Sequence, residues 1–253
     1  MELLVLGCQA GMPMAGRPSS GYLLSTSSTR ILLDCGPGVA AALSANGGAG
    51  DLDAIVISHM HADHCHDLLP VGITLLGRPP VPLYLPAGGP AVLDALADVF
   101  PLRGDARGTP FHHGFRIVEY RPGDTVHIGD CGLTFHELRH AVPNCGVRVT
   151  DGTATLAYTG DTGPTPALVE LARDVGLLLA ECTLATSEVG DHGHLCATDA
   201  GRAAAEAGAR HLVLTHFGSS HRDWIAARRA EAAREFHGRL RVAYAGARFR
   251  VPR

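Results

Sequence analysis

The stretch HMHADHCHD, residues 59–67, places four histidines and two aspartates in nine positions, one residue after the apolar run AIVI. Imidazoles and carboxylates at this density are the donors that hold divalent transition metals. If AIVI is a strand, the cluster lies in the loop at its carboxyl end, where open sheets present ligand sites. In an extended start, positions two apart point the same way, so His59 and His61 can share one ion. Asp63 and His64, after the turn into a helix, then face a second. Cys65 is expected to pack behind the site, and His66, one residue past the pattern at the start of a helix, to lie at the surface or in support.

Composition narrows the chemistry. The 253 residues are 46% hydrophobic and 18% charged, with a net charge of −4, enough for one large core, and the default is a single globular domain over 1–253. No lysine occurs in the chain, which excludes a Gly-Lys phosphate loop, a Schiff-base lysine and a lysine-rich nucleic-acid face. The seven cysteines are scattered and never spaced as CxxC, so they are expected to be reduced, buried small hydrophobes. No run of about 18 apolar residues is present, and the start MELLVLG has neither the basic residues nor the long apolar stretch of a signal peptide, so a cytoplasmic location with no membrane contact is expected. Arg222, Arg228, Arg229, Arg234, Arg239 and Arg241 are interleaved with Asp223, Glu231 and Glu235, which reads as a solvated, ion-paired helical face.

Several elements could position the cluster. ELLVLG, GYLLSTS, RILLDCG and DAIVISH read as short strands bounded by turn residues. PGVAAALSAN and PAVLDALADVF read as helices, each with a proline near its start. A strand series follows from 115 to 158, with Asp151-Gly152 as a hairpin turn. After residue 161, TPALVELARDV is an amphipathic helix, GLLLAECT and HLVLTHF are buried strands, and TDAGRAAAEAG is a helix capped near Thr198 or Asp199. The two halves share one plan, which predicts an α/β four-layer αββα sandwich of two sheets covered by helices.

HMHADH has the form HxHxDH and resembles the signature of the metallo-β-lactamase fold superfamily of binuclear metallohydrolases. The resemblance implies three further ligands, each at a strand end: His140 in FHELRHAVPNCG, Asp161 in LAYTGDTG and His216 in LVLTHFGS. His136 competes with His140, which is favoured because it stands where the strand gives way to Ala-Val-Pro-Asn. By similarity, one ion takes His59, His61, His140 and Asp161, and the other takes Asp63, His64, Asp161 and His216. Two divalent ions are therefore expected; this donor set suits zinc and accepts manganese or iron.

The likeness covers nearly the whole chain. LGCQAGMPMAGRPSSGYLL with ILLDCGPG, and later LAECTLATSEVGDHGHLCATDAG, resemble the ribonuclease Z and cyclic phosphodiesterase branch. One departure is that Ala180 precedes Glu181 where ribonuclease Z usually has histidine. The match makes His194 the proton donor, with His192 its competitor and Glu181 its orienting carboxylate. The implied reaction is attack on phosphorus by a metal-bridging hydroxide steadied by Asp63, while His194 protonates the leaving oxygen. Transfer-RNA-maturing ribonucleases Z carry a long arm between the middle histidine and the bridging aspartate. Here only 21 positions separate His140 from Asp161, room for two strands and a turn. Together with the negative charge, this points to a small-molecule phosphodiester, a cyclic nucleotide or ribose cyclic phosphate, rather than a long nucleic acid. A lactone, thioester or β-lactam hydrolase and a non-catalytic metal-containing accessory protein are the alternatives. A homodimer is the default assembly.

Overall fold

The computed structural model describes residues 1–99, 110–188, 190 and 193–253. Among these, the apolar runs form two seven-stranded sheets. The first contains β1 (Glu2–Gly7), β2 (Gly21–Ser25), β3 (Arg30–Leu33), β4 (Ala54–Val56), β5 (Val81–Leu85), β6 (Phe115–Glu119) and the final strand β14 (Arg248–Arg250), in the order β14-β1-β2-β3-β4-β5-β6. The second contains β7 (Thr125–Ile128), β8 (Cys131–Glu137), β9 (Cys145–Thr150), β10 (Thr155–Tyr158), β11 (Leu177–Cys182), β12 (His211–Phe217) and β13 (Arg239–Val242), in the order β13-β12-β11-β10-β9-β8-β7. Helices α1 (Val39–Ser44), α2 (Ala62–Cys65), α3 (Leu68–Thr74), α4 (Gly89–Val99) and α5 (Pro110–Gly114) belong to the first half, and α6 (Pro166–Ala172), α7 (Ala197–Glu206) and α8 (Arg222–Glu235) to the second.

The strands are apolar at consecutive positions because both faces are covered. In β1, Leu3 and Val5 join a core shared with Leu133, Phe135, Val147 and Leu156 of the second sheet. Leu4 and Leu6 point the other way, into a core with Val39, Leu43, Leu68 and Leu93 of the overlying helices. This alternation makes the four-layer sandwich. The strands from β3 to β6 and from β10 to β13 run parallel, joined by helices, so their carboxyl ends gather at one rim. No helix among the described residues is long and apolar enough to cross a membrane.

Three local expectations are corrected. The cap of α7 is Cys196 rather than Thr198 or Asp199; the Asp199 carboxylate instead accepts the Cys196 thiol at 3.2 Å and its backbone N–H at 3.4 Å. His66 closes α2 instead of starting a helix, and is exposed. The carboxyl-terminal arginines are not uniformly paired: Arg228 is buried, bonded to Glu231 and stacked over Trp224, and Glu235 reaches Arg202 of α7.

Candidate metal centre

The strand β4 ends just before Ser58 and His59, and α2 begins at Ala62 with His61 at its cap, so one turn of chain presents His59, His61, Asp63 and His64. The second sheet brings its residues from the opposite side. His140 follows β8, Asp161 follows β10, and His216 lies inside β12. The potential ligand atoms of His59, His61, His140 and Asp161 lie within 4.8 Å of one another, as do those of Asp63, His64, Asp161 and His216. His136 is not among them; it faces Thr134 on β8, at 3.2 Å.

Backbone geometry enforces this convergence. His216 has φ +51° at a register shift between β11 and β12, a bulge that turns its imidazole toward Asp63. A bulky residue in this left-handed region is strained, by about 1–3 kcal/mol, and needs surrounding contacts to hold it. Gly160, at φ +56°, lets the chain turn from β10 to Asp161, and a Cβ there would lie 2.6 Å from Asn144 Oδ1 and 2.8 Å from Ser58 Cβ. Gly193, also left-handed, packs 2.4 Å from the Arg139 carbonyl by the same measure and offers its own carbonyl to His140 Nδ1 at 3.0 Å.

Two buried carboxylates orient the imidazoles. Asp34 accepts His64 Nδ1–H at 2.6 Å, Tyr158 O–H at 2.6 Å, Ser58 N–H at 2.7 Å and Ser58 O–H at 2.9 Å. Because the Ser58 hydroxyl proton goes to Asp34, its oxygen accepts from His59 Nδ1–H, at 3.1 Å. On the other side Glu181 accepts His194 Nδ1–H at 2.9 Å and Thr183 O–H at 2.6 Å, and Thr183 in turn accepts His216 Nδ1–H at 2.8 Å. Glu181 also takes the backbone N–H of Thr162 and of Thr183. Asp63 Oδ2 is fixed by Gly11 N–H at 2.7 Å.

These protons fix where the lone pairs point. His59 Nε2 and His140 Nε2 each lie 3.1 Å from His61 Nδ1, and His64 Nε2 lies 3.1 Å from His216 Nε2. The Nδ1 atoms of His59, His140, His64 and His216 are engaged elsewhere, so their Nε2 lone pairs face His61 Nδ1 or one another, an arrangement that a cation between them relieves. Tetrahedral ligands on zinc, with Zn–N near 2.0–2.1 Å, stand about 3.3 Å apart, close to this spacing. Asp161 Oδ1 is buried without a hydrogen-bond partner. The residues present therefore fit divalent metal.

The titration of three imidazoles agrees, whereas at His64 the charges and hydrogen bonds of Asp161 and Asp34 outweigh burial and raise it above the ordinary histidine range, a proton that a bound cation would displace. Burial, with neighbouring imidazoles, holds His59, His61 and His140 below the ordinary histidine range, in the neutral form a metal requires. Burial would depress His194 too, but its hydrogen bond to Glu181 and the charges of Glu181, Asp161 and Asp63 push it up to about 9. His192 lies outside the described residues.

The family model described as Beta-lactamase superfamily domain matches residues 29–217. The chain belongs to that superfamily. It is 32% identical over 254 residues to the Probable metallo-hydrolase YhfI of Bacillus subtilis (strain 168), covering 97% of this chain and 98% of that protein. The crystal structure of YhfI superposes with a TM-score of 0.87 at 28% identity over 98% of each chain. A ribonuclease Z of Kineococcus radiotolerans is 32% identical over 295 residues, covering 95% of this chain and 91% of that protein. The protein is a metallo-hydrolase of the β-lactamase superfamily with ribonuclease Z relatives.

Sequence reasoning passed over Asp34, Ser58 and Thr183 as orienting residues. Asp34 did carry a signal: an aspartate closing the apolar run ILL and followed by Cys-Gly, held at φ +59°. The two hydroxyl residues carry none, since each relay also needs a partner far away in the chain, Asp34 for Ser58 and His216 for Thr183.

Proposed function

We propose that this metallo-hydrolase is a phosphodiesterase acting on small phosphodiesters, such as cyclic nucleotides or ribose cyclic phosphates. His59, His61, His140 and Asp161 hold one divalent ion, and Asp63, His64, Asp161 and His216 hold a second. When bound, two such ions, zinc in the first instance, supply Lewis-acid activation of water and neutralise charge gathering on a substrate oxygen.

The observation that carries the phosphodiester reading is the Glu181–His194 pair. A phosphodiester expels an alkoxide, which needs a proton as it leaves. His194 is one-fifth exposed and 2.9 Å from a fully buried carboxylate, so it stays protonated at neutral pH and has its Nε2–H free for the leaving oxygen. Its ring stands 5.1 Å from that of His140, at the rim of the cradle. Asp63, held by Gly11 N–H, is the carboxylate that would orient the attacking water. The interval between His140 and Asp161 is filled by β9, the Asp151 turn and β10, which supports a small substrate. The net charge of −4 supports it as well.

The test is a panel on metal-replete protein: bis-p-nitrophenyl phosphate, 2′,3′- and 3′,5′-cyclic nucleotides, a lactone and a chromogenic cephalosporin. Phosphodiester turnover that is lost on chelation and restored by zinc or manganese is the expected outcome. Turnover of the lactone or cephalosporin alone would sink the reading, and silence across the panel would favour a binding protein.

A further inference from the structure

Beside the metal cradle lies a cavity of about 530 Å³ between the loop after β1, the start of α8 and the end of β13. Three guanidinium groups line it: Arg17, Arg222 and Arg229. None of the three has an ion-pair partner among the described residues, whereas Arg228 of the same helix is bonded to Glu231. Arg222, Ile225, Ala226 and Arg229 fall at i, i+3, i+4 and i+7, so α8 turns one face to the cavity, apolar in the middle and cationic at both ends. Phe217 and the largely exposed Tyr244 supply aromatic wall. Among the described residues no carboxylate lines the cavity.

A second observation points to a ligand. Gln9 also lines the cavity, is fully buried, and has neither its amide nitrogen nor its amide oxygen hydrogen-bonded. A buried primary amide left without partners is destabilising, so its persistence beside three arginines without ion-pair partners marks a polar binding surface. Like charges gathered at one concave surface raise the local concentration of anions, and guanidinium is the side chain best matched to phosphate. We infer that this cavity binds a phosphomonoester carried on a small sugar or aromatic body.

The cavity is joined to the cradle through the backbone. Phe217 directly follows His216, and its N–H and C=O pair with Cys8 O at 3.0 Å and Ala10 N at 3.1 Å; the next residue, Gly11, holds Asp63. A phosphate seated on Arg222 and Arg229 is therefore positioned to belong to the substrate itself, as a second anionic group that sets specificity. That assignment to the substrate rests on the phosphodiesterase reading; binding in the cavity does not.

The experiment uses metal-replete protein, ribose 5-phosphate as probe and ribose as the phosphate-free control. Trp224, the chain's one tryptophan, meets the Phe217 ring edge-on with centroids 6.4 Å apart, so its fluorescence reports on the cavity, and calorimetry reads the same event independently. Saturable binding of ribose 5-phosphate and no response to ribose are expected. Arg222→Ala/Arg229→Ala should weaken binding about tenfold or more, the loss expected for charge-assisted hydrogen bonds. Arg234→Ala/Arg250→Ala, which removes the same charge from exposed positions outside the cavity, should change it by no more than about twofold. Absence of saturable binding by both readouts, or equal weakening in the two double variants, overturns the inference. So does binding that vanishes on chelation but ignores Arg222 and Arg229, because the phosphate is then at the metal centre. A second arm follows bis-p-nitrophenyl phosphate turnover with added ribose 5-phosphate. Competitive inhibition assigns the phosphate to the substrate and a changed kcat assigns it to a free effector; either effect must be lost in Arg222→Ala/Arg229→Ala, and one that survives there contradicts the site. Should the substrate panel show no phosphodiester turnover, the binding arm still stands or falls alone.

Discussion

Asp34 and Glu181 are both fully buried carboxylates, and each steers two histidines, one directly and one through a hydroxyl. Asp34 takes His64 directly and His59 through Ser58, and both of those imidazoles face the cradle. Glu181 takes His194 directly and His216 through Thr183, so one of its imidazoles faces the cradle and the other stands beside His140 at its rim. The same wiring serves two purposes: on the first sheet it builds the cradle alone, on the second it couples the cradle to His194, the proposed proton donor. Asp34 has a further donor, Tyr158, that anchors it across the two sheets, and Glu181 is held instead by backbone N–H groups.

This contrast can be broken by substitution. Asp161→Ala removes the carboxylate common to both ligand groups, and should abolish metal retention and lower activity by more than about 100-fold, beyond what loss of an orienting residue produces. Metal analysis after dialysis and the phosphodiester assay check both. Asp34→Asn and Glu181→Gln should then part company. Asparagine tolerates the positive φ at 34, so the fold should survive while metal affinity falls about 10–100-fold. Glu181→Gln should leave metal content nearer to normal and cut turnover about 100-fold by uncoupling His194. Equal metal loss in the two variants, measured by competition with a chelating dye, would erase the distinction.

Smaller effects sharpen it. Ser58→Ala and Thr183→Val each remove one hydroxyl relay and should weaken metal binding by about tenfold, at the low end of such supporting changes. Only Thr183→Val should also alter turnover in metal-saturated protein, because Thr183 shares Glu181 with His194. Tyr158→Phe leaves Asp34 three of its four donors and should reduce stability by about 1–2 kcal/mol in denaturant unfolding, with little change in activity.

The legible parts of this molecule are those whose partners are near in sequence. HMHADH sets four candidate ligands within six residues, and the apolar strands alternate between two buried faces, so cluster and sandwich could both be read. His140, Asp161 and His216 were reached only through resemblance, because their convergence depends on the packing of one sheet against the other. The aim of His216 depends on a bulge with φ +51°, which no residue type encodes. Asp34 meets Ser58 across 24 positions and Tyr158 across 124, contacts that spacing cannot reveal. The arginines of α8 read as an ion-paired face because acidic residues interleave with them. The structure sends Glu231 to Arg228 and Glu235 to Arg202, and gives Arg222 and Arg229 no ion-pair partner among the described residues.

The central claim is that His194, held protonated by Glu181, serves the leaving oxygen of a phosphodiester. Its most direct test is His194→Ala assayed on two substrates, bis-p-nitrophenyl phosphate, whose leaving group departs readily without a proton, and a cyclic nucleotide, whose alkoxide does not. The account predicts unchanged metal content, a loss of about 10²–10⁴-fold on the cyclic nucleotide and a loss below about tenfold on the activated ester. Equal losses on the two substrates, or full turnover of the cyclic nucleotide, would contradict it.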